Sequence, residues 1–526
     1  MDYLKIGKAS ELSGRDRKLY RVLEILPGFL SLFTLFILVI FSYFYPTLVA
    51  FFLIAFDVYW LLLVVFLAIH LIGAYLKLKK TMRINWRDKL FNLKPQKLKI
   101  KQFNDNDREK ISDMSWKDII HLVIFPTYNE SLELMIPSFE AIINSGYPLD
   151  KIIMVLAIEE RAGQDAVAKA KVIEKKFGNR FKNFLVTIHP DNIAGELKGK
   201  GANQAWAARQ VKEKIIDAEK LDYDKILASV FDIDTVIGRD YFYILTYKFL
   251  TTDYPHRASY QPIPVYHNNI WQAPFFARVA AASNTFWQMM QQIRQEKLAT
   301  YSSHSMAWRT LSEVGFWSTS MVSEDSRIFW HSFIYYNGDY RVCPLHYSVS
   351  MDACMDSGVV ATAKNLYKQQ RRWGWGVENV PYLIFNTIKR WKKIPKQKFL
   401  NRIFAQIYGF HSWATNALII AVIGWLPMIL GGDRFNVTVL STNLPFVTRT
   451  LMTLAMFGLV LSAILSTLLL PAKPKKYSIT KYSTMLAQWI ILPFSIIFFG
   501  AIPGLDAQIR LMFKKYLGFW ITPKSR

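Results

Sequence analysis

Ile119-Ile120-His121-Leu122-Val123-Ile124-Phe125, closed by Pro126 and followed at once by Thr127-Tyr128-Asn129-Glu130, is the stretch on which the fold turns. The run is apolar almost without interruption, as a parallel strand covered on both faces must be. Residues 151–158 and 225–231 repeat this form, and helical stretches at 164–177 and 201–218 stand between them. Alternating strands and helices predict an α/β, doubly wound, Rossmann-like sheet, which takes its ligand beyond the carboxyl ends of the strands. Polar groups fall where that rule needs them. Glu159-Glu160-Arg161 follows the second strand, Lys198-Gly199-Lys200-Gly201-Ala202-Asn203 opens a helix, and Asp232-Ile233-Asp234 follows the third strand.

Outward from this core the chain turns apolar at both ends. Residues 27–45 and 58–76, then 409–430, 450–470 and 485–502, are each long enough to cross a hydrocarbon core. The first lacks a small-x-small cleavage pattern and reads as a retained anchor. Nothing comparable lies between Lys77 and Lys396, so a soluble domain sits between two membrane regions. The chain carries a net charge of +25, and its Lys and Arg residues cluster at the ends of the apolar segments. That placement reads as topology and attraction to anionic lipid, not as a nucleic-acid surface. By the positive-inside rule the central domain is cytoplasmic and the protein is a multi-pass protein of the cell membrane. A fifth crossing would put the basic tail outside, unless Pro493 and Pro503 break the last segment into a re-entrant element. Asp57, followed by Tyr59-Trp60, is placed by counting at the outer interface. With only Cys343 and Cys354, neither a disulfide framework nor a cysteine zinc site is expected. The sequon Asn436-Val437-Thr438 is read as a chance match.

Further along the soluble domain come Ser323-Glu324-Asp325 and Gln369-Gln370-Arg371-Arg372-Trp373. Taken in order, Pro-x-Tyr-Asn-Glu, Lys-x-x-x-x-Asn, Asp-x-Asp, Ser-Glu-Asp and Gln-x-x-Arg-Trp resemble the motifs of membrane-embedded family-2 glycosyltransferases, the group of cellulose, chitin and hyaluronan synthases. The resemblance is strong over residues 118–376 and rests on layout alone in the membrane regions. It implies a GT-A catalytic domain and an inverting hexosyltransferase. Thr127, Tyr128, Glu130, Glu159, Lys198 and Asp232 are then expected at the nucleotide, and Asp232 with Asp234 on Mg²⁺ or Mn²⁺ at the diphosphate. A nucleoside diphosphate leaves only when its developing charge is neutralised, which a carboxylate-held divalent ion does. Arg372 is expected to fork onto the same phosphates. Asp325, with Glu324 beside it, is the expected general base toward the acceptor hydroxyl. Gln369 and Trp373 are expected at the acceptor, the indole stacked on a sugar face, and Ser302 and His304 line the same side. Each short motif also has a plainer reading: Asp-x-Asp as a capped turn, Ser-Glu-Asp as an acidic helix start.

One departure concerns the donor. The family usually has Asp-Asp after the second strand, where this chain has Glu159-Glu160 and then Arg161. The tail Phe519-Trp520-Ile521-Thr522-Pro523-Lys524 resembles a Trp-x-Thr-x-Lys ending of related synthases and favours a cytoplasmic C-terminus. The expected organisation is an N-terminal segment with two spans (1–84), the catalytic domain (85–376), amphipathic interfacial helices (377–404) and a C-terminal membrane region (405–526). The expected activity moves a sugar, from a UDP-sugar by preference, to a growing polysaccharide with export through the protein's own helices. A single addition to a lipid-linked acceptor is the alternative, and a sugar-binding scaffold or transporter is the alternative from another class.

Overall fold

The computed structural model describes residues 3–101, 109–475, 477, 478, 480–518 and 520. Of the tail motif only Trp520 is among them; the rest lies outside the described residues. Ten strands form two sheets. β1 (Gln96–Lys101) and β2 (Glu109–Met114) make an antiparallel pair. The main sheet holds β3 (Ile120–Pro126), β4 (Ile152–Glu159), β5 (Asn183–His189), β6 (Ile226–Val230), β7 (Val236–Ile237), β8 (Ala258–Val265), β9 (Ser305–Ala307) and β10 (Arg341–Ser350). Its order is β5-β4-β3-β6-β9-β8-β10-β7. From β5 to β6 all pairs are parallel, which is the doubly wound half expected from the sequence. Beyond β6 the sheet is mixed, because β9 runs antiparallel to both β6 and β8.

The reason the strands read as continuous apolar runs is visible in their side chains. Val123 and Phe125 of β3 enter one core with Ile152, Met154 and Leu156 of β4. Leu122 and Ile124 enter the opposite core with Ile153, Val155 and Ala157. Both faces are covered, so neither phase of the two-residue period is free to be polar.

Among the described residues four helices are long and apolar enough to cross a membrane: Gly14–Phe44, Pro46–Met82, Val439–Leu469 and Thr480–Met512. A fifth candidate is the pair Lys396–Ala421 and Ile423–Leu430, bent by 40°. The stretch Thr480–Met512 is built of short pieces, with Pro493 and Pro503 each in the opening turn of one, where a missing N–H costs nothing. Both its ends meet the catalytic domain. Met485 packs with Tyr266 and Trp271, and Leu511 with Val322 and Trp375. Its last turn also lies on the start of the first apolar helix, where Ser31 donates to Gln508 at 2.7 Å and Arg21 to the Leu511 carbonyl at 3.0 Å.

Asp57 is buried between two apolar helices, and the Thr448 hydroxyl donates to it at 2.8 Å. The segment after Gly374 packs one face against the soluble domain. Val380, Tyr382, Leu383 and Phe385 of Asn379–Lys389 are all buried. Beneath it runs residues 3–12, whose Leu4, Ile6, Ala9 and Leu12 are buried as well.

Candidate active site

The donor side is assembled from strand ends. Glu130 folds back on its own loop, accepting from the Thr127 hydroxyl at 2.5 Å and from the Tyr128 N–H at 2.8 Å. Asn203 donates to the Thr127 and Ala157 carbonyls at 3.3 and 2.8 Å, so one side chain fixes the ends of β3 and β4. Arg161 explains the departure after β4. Its Nε donates to buried Glu159 at 2.6 Å, and its guanidinium lies 4.8 Å over the Tyr128 ring. A buried carboxylate and its paired cation thus wall the place expected for the ribose. Glu159, Arg161, His189, Asp191 and Lys198 line a cleft at the ends of β4 and β5. Lys198 pairs there with Asp191 at 2.7 Å and stays half-exposed.

The centre belongs to Lys200, which the sequence reading passed over. Gly199 takes a φ of 149°, a conformation side-chain-bearing residues avoid, and the helix Lys200–Val211 starts one residue later. Gly201 then approaches so closely that a Cβ would stand 2.8 Å from the Ser318 carbonyl and 3.1 Å from Glu324 Cβ. The Lys200 ammonium is 2.7 Å from Asp232, 2.7 Å from Asp325 and 3.9 Å from Glu324. Burial works against its charge, but the carboxylates of Asp232, Asp325 and Glu324 win and hold it above the ordinary lysine value.

Asp232 and Asp234 form the tight turn after β6, with the Thr235 N–H bonded to the Asp232 carbonyl at 2.8 Å. The plain turn reading is therefore realised in the structure. Ser302 donates to Asp232 at 2.7 Å, which puts it beside the Asp-x-Asp turn. Asp234 is fully buried and accepts from the Asp352 N–H at 2.9 Å; Asn268 ties its carbonyl to the Asp352 carboxylate. Among the described residues no three His, Cys, Asp or Glu side chains converge as a self-sufficient metal cage. Two carboxylates are what Mg²⁺ or Mn²⁺ needs when substrate phosphates and water complete the shell, and the oxygen donors have the right hardness. The residues fit such an ion.

Ser323 stands at the N-cap position of the helix Glu324–Tyr335 without a side-chain bond to its first turn. Of its two acids, Asp325 is the accessible one, with 20 % of its side chain exposed against 1 % for Glu324. The second oxygen of each, Asp325 Oδ1 and Glu324 Oε2, is buried without a hydrogen-bond partner. Burial first, then the charge of Asp325, pushes Glu324 well above the usual carboxylate range, with Lys200 and Arg372 opposing.

The helix start is held from across the site. Glu378 Oε1 accepts from the Ser323 N–H at 3.1 Å and its hydroxyl at 2.6 Å, while Glu378 Oε2 accepts from Trp375 Nε1 at 2.9 Å. Arg327 donates to Asn379 Oδ1 at 2.7 Å and to the Ile6 carbonyl at 2.9 Å, and it lies 3.7 Å over the Tyr382 ring. Glu378, Asn379 and Arg327 escaped the sequence reading. Their only signal was charge and amide groups inside an otherwise apolar stretch.

Gln-x-x-Arg-Trp ends the helix Val359–Gly374. Gln369 is buried, and the Arg372 charge bears on Glu324 and Tyr266. Trp373 is half-buried against the cluster of Tyr266, Trp271, Phe276 and Leu366. Arg371 pairs with Asp506 of the last helix at 2.9 Å. His304 is fully buried. Its Nδ1 meets the Tyr301 carbonyl at 2.9 Å, Trp317 donates to its Nε2 at 3.4 Å, and burial lowers its pKa, so it braces the loop as a neutral ring.

A family model described as glycosyl transferase family group 2 matches residues 229–500. No curated protein matches the chain. Among solved structures, the mannosyltransferase PcManGT from Pyrobaculum calidifontis, in complex with GDP-Man and Mn²⁺, is similar at 14% identity and a TM-score of 0.41, over 77% of this chain and 99% of that one. TarS of S. aureus is similar at 10% identity and a TM-score of 0.33, over 66% of this chain and 55% of that one. The TarS 1–349 fragment in complex with UDP is similar at 12% identity and a TM-score of 0.31, over 66% of this chain and 91% of that one. The family model spans more than half of the chain, from the last strand residues before Asp-x-Asp through Gln-x-x-Arg-Trp to the last apolar segment. The chain belongs to glycosyl transferase family group 2, as a GT-A catalytic domain flanked by apolar helices.

Proposed function

We propose that the protein transfers a sugar, with inversion, from a nucleotide-sugar to the hydroxyl of a glycan acceptor at the inner face of the cell membrane. One observation carries this reading: a single buried ammonium, Lys200, joins the donor-side Asp232 to Asp325, whose other oxygen has no partner. Asp325 accepts the acceptor proton as the hydroxyl attacks C1, and the proton ends on its carboxylate. Lys200 holds that carboxylate in place and keeps positive charge near the departing diphosphate. Arg372 adds a second cation for the phosphates of the same donor. A divalent ion held by Asp232 and Asp234 would neutralise the leaving diphosphate. Glu324, held neutral, is a hydrogen-bond donor and not a second base.

The donor we favour is a UDP-sugar. Growth of a polysaccharide coupled to export is the fuller form of this reading. A lipid-linked acceptor is the second reading, favoured by an apolar pocket against the membrane helices whose wall includes Tyr266, the residue next to the Asp-x-Asp turn. The test uses purified full-length protein in detergent with a panel of radiolabelled nucleotide-sugars, each with Mg²⁺ or Mn²⁺ and with a chelator. One donor should be consumed in a metal-dependent manner. If none is turned over under any condition, the transferase reading falls.

A further inference from the structure

Arg278 lies in the helix Phe275–Ile293, on the side of the catalytic domain turned to the apolar helices. It is 6 % exposed. Its Nε donates to Gln488 at 2.6 Å and its Nη1 to the Ala273 carbonyl at 2.7 Å. Among the described residues no carboxylate pairs with it. Arg309 has Asp224 and Arg327 has the Tyr382 ring, whereas Arg278 has two neutral acceptors. Burial lowers its pKa to about 10, so it remains a cation at neutral pH. A buried, unpaired charge is costly unless an anion completes the site.

The space in front of it has a definite chemistry. Arg278 lines a pocket with Ala282, Thr285, Phe286, Ser466 and Leu469. The pocket lies where β8 meets the end of Val439–Leu469 and the start of Thr480–Met512. The same elements present Leu468, Leu486 and Ile490 to the outside. An apolar mouth on the membrane side, hydroxyl groups within and one uncompensated guanidinium describe an anionic headgroup on a hydrocarbon tail. A guanidinium forks onto phosphate oxygens, and the Ser466 hydroxyl adds a donor; the Thr285 hydroxyl donates to the Pro264 carbonyl at 2.9 Å and offers only its lone pairs.

We propose that this pocket binds the phosphate headgroup of a membrane lipid, with Arg278 as the counter-ion. For the ligand's role this rests on the lipid-acceptor reading: the phosphate is the carrier of the acceptor, anchored one side chain, Tyr266, away from the transfer site. Binding itself needs no nucleotide-sugar and is measured without one, so it stands or falls apart from catalysis.

Native mass spectrometry of the intact chain, released from neutral detergent, reads the site directly. The probes are short-chain phosphatidic acid, phosphatidylcholine and inorganic phosphate. Phosphatidic acid should bind in preference to phosphatidylcholine. Arg278→Gln should weaken it roughly tenfold or more, as expected for loss of a charge-assisted contact. Arg278→Lys should keep part of the affinity, and Ala282→Leu, which narrows the pocket and spares the charge, should also weaken it. Lys392→Gln, an exposed interfacial cation, should change nothing. Unchanged binding in monodisperse Arg278→Gln and Ala282→Leu overturns the proposal. So does equal loss in Lys392→Gln, which would mean surface attraction, or displacement by inorganic phosphate alone, which would mean a free-phosphate site.

Discussion

Asp325 and Glu324 are sequence neighbours in one helical turn, and the structure gives them different work. Asp325→Asn is expected to lower transfer by about 10²–10⁴-fold, the usual worth of a general base, with nucleotide binding near wild type. Glu324→Gln is expected to retain most of the rate, because the native side chain is already neutral. Its stability should differ in pH dependence. A carboxyl whose pKa is raised on folding contributes stability that is present below its unfolded value and lost as pH rises through the folded one. Wild type should therefore weaken from the ordinary glutamate range up to about 8, and Glu324→Gln should lack that slope in thermal melts across pH. These residues were legible because acids at a helix start beside an Asp-x-Asp turn are a local pattern. Lys200 was not. It shares a motif with Lys198, and the choice between them depends on where Gly199 lets the helix begin, which no spacing states. The contacts of Ser302 with Asp232 and of His304 with the Tyr301 carbonyl were not legible for a related reason: polarity in a loop does not say which way the loop is folded.

Between elements, the clasp of Ser323 by Glu378 sets the direction of the catalytic helix. Glu378→Gln keeps one acceptor for Ser323 but replaces the acceptor of Trp375 with a donor. We expect a fall in kcat of roughly tenfold, the effect of a misplaced catalytic group, with donor KM little changed. Ser323→Ala should give a smaller loss of the same kind. The two together should be markedly non-additive, since they break one contact. Additive losses, or a loss that tracks folded yield alone, would reduce Glu378 to ordinary packing. At this scale the sequence was clear where geometry is regular. β3, β4 and β6 declared themselves because both faces are buried. β9, three residues long and antiparallel, left no periodic trace, and only hydrogen bonds across Ser305 and Met306 reveal it.

For the whole molecule, five apolar stretches between basic edges gave the layout, but not the fate of the last. Because Thr480–Met512 begins and ends against the catalytic domain, we expect it to dip into the bilayer and return. Single cysteines introduced at Lys18 and Lys515 in a chain without Cys343 and Cys354 should then react with impermeant maleimide from the same side of sealed vesicles. Labelling from opposite sides would establish a full crossing. Periodicity and composition could not decide this, since both outcomes use the same residues; contact of Leu511 with Trp375 is a tertiary fact.

The buried course of residues 3–12 has a practical meaning for anyone dividing this chain. The Ile6 carbonyl, Asn379 and Glu378 are all partners of Arg327, and none lies within 85–376, the stretch that reads as the catalytic domain. Excised at those borders, the domain would leave the Arg327 guanidinium of its active-site helix without these partners and without the Tyr382 ring it lies over. We expect that fragment to aggregate on size-exclusion chromatography, while the fragment joined to residues 3–12 and 377–389 fares better. In this enzyme residues 3–12 and 377–389, far apart in the sequence, must both come to the active-site helix before that helix is complete.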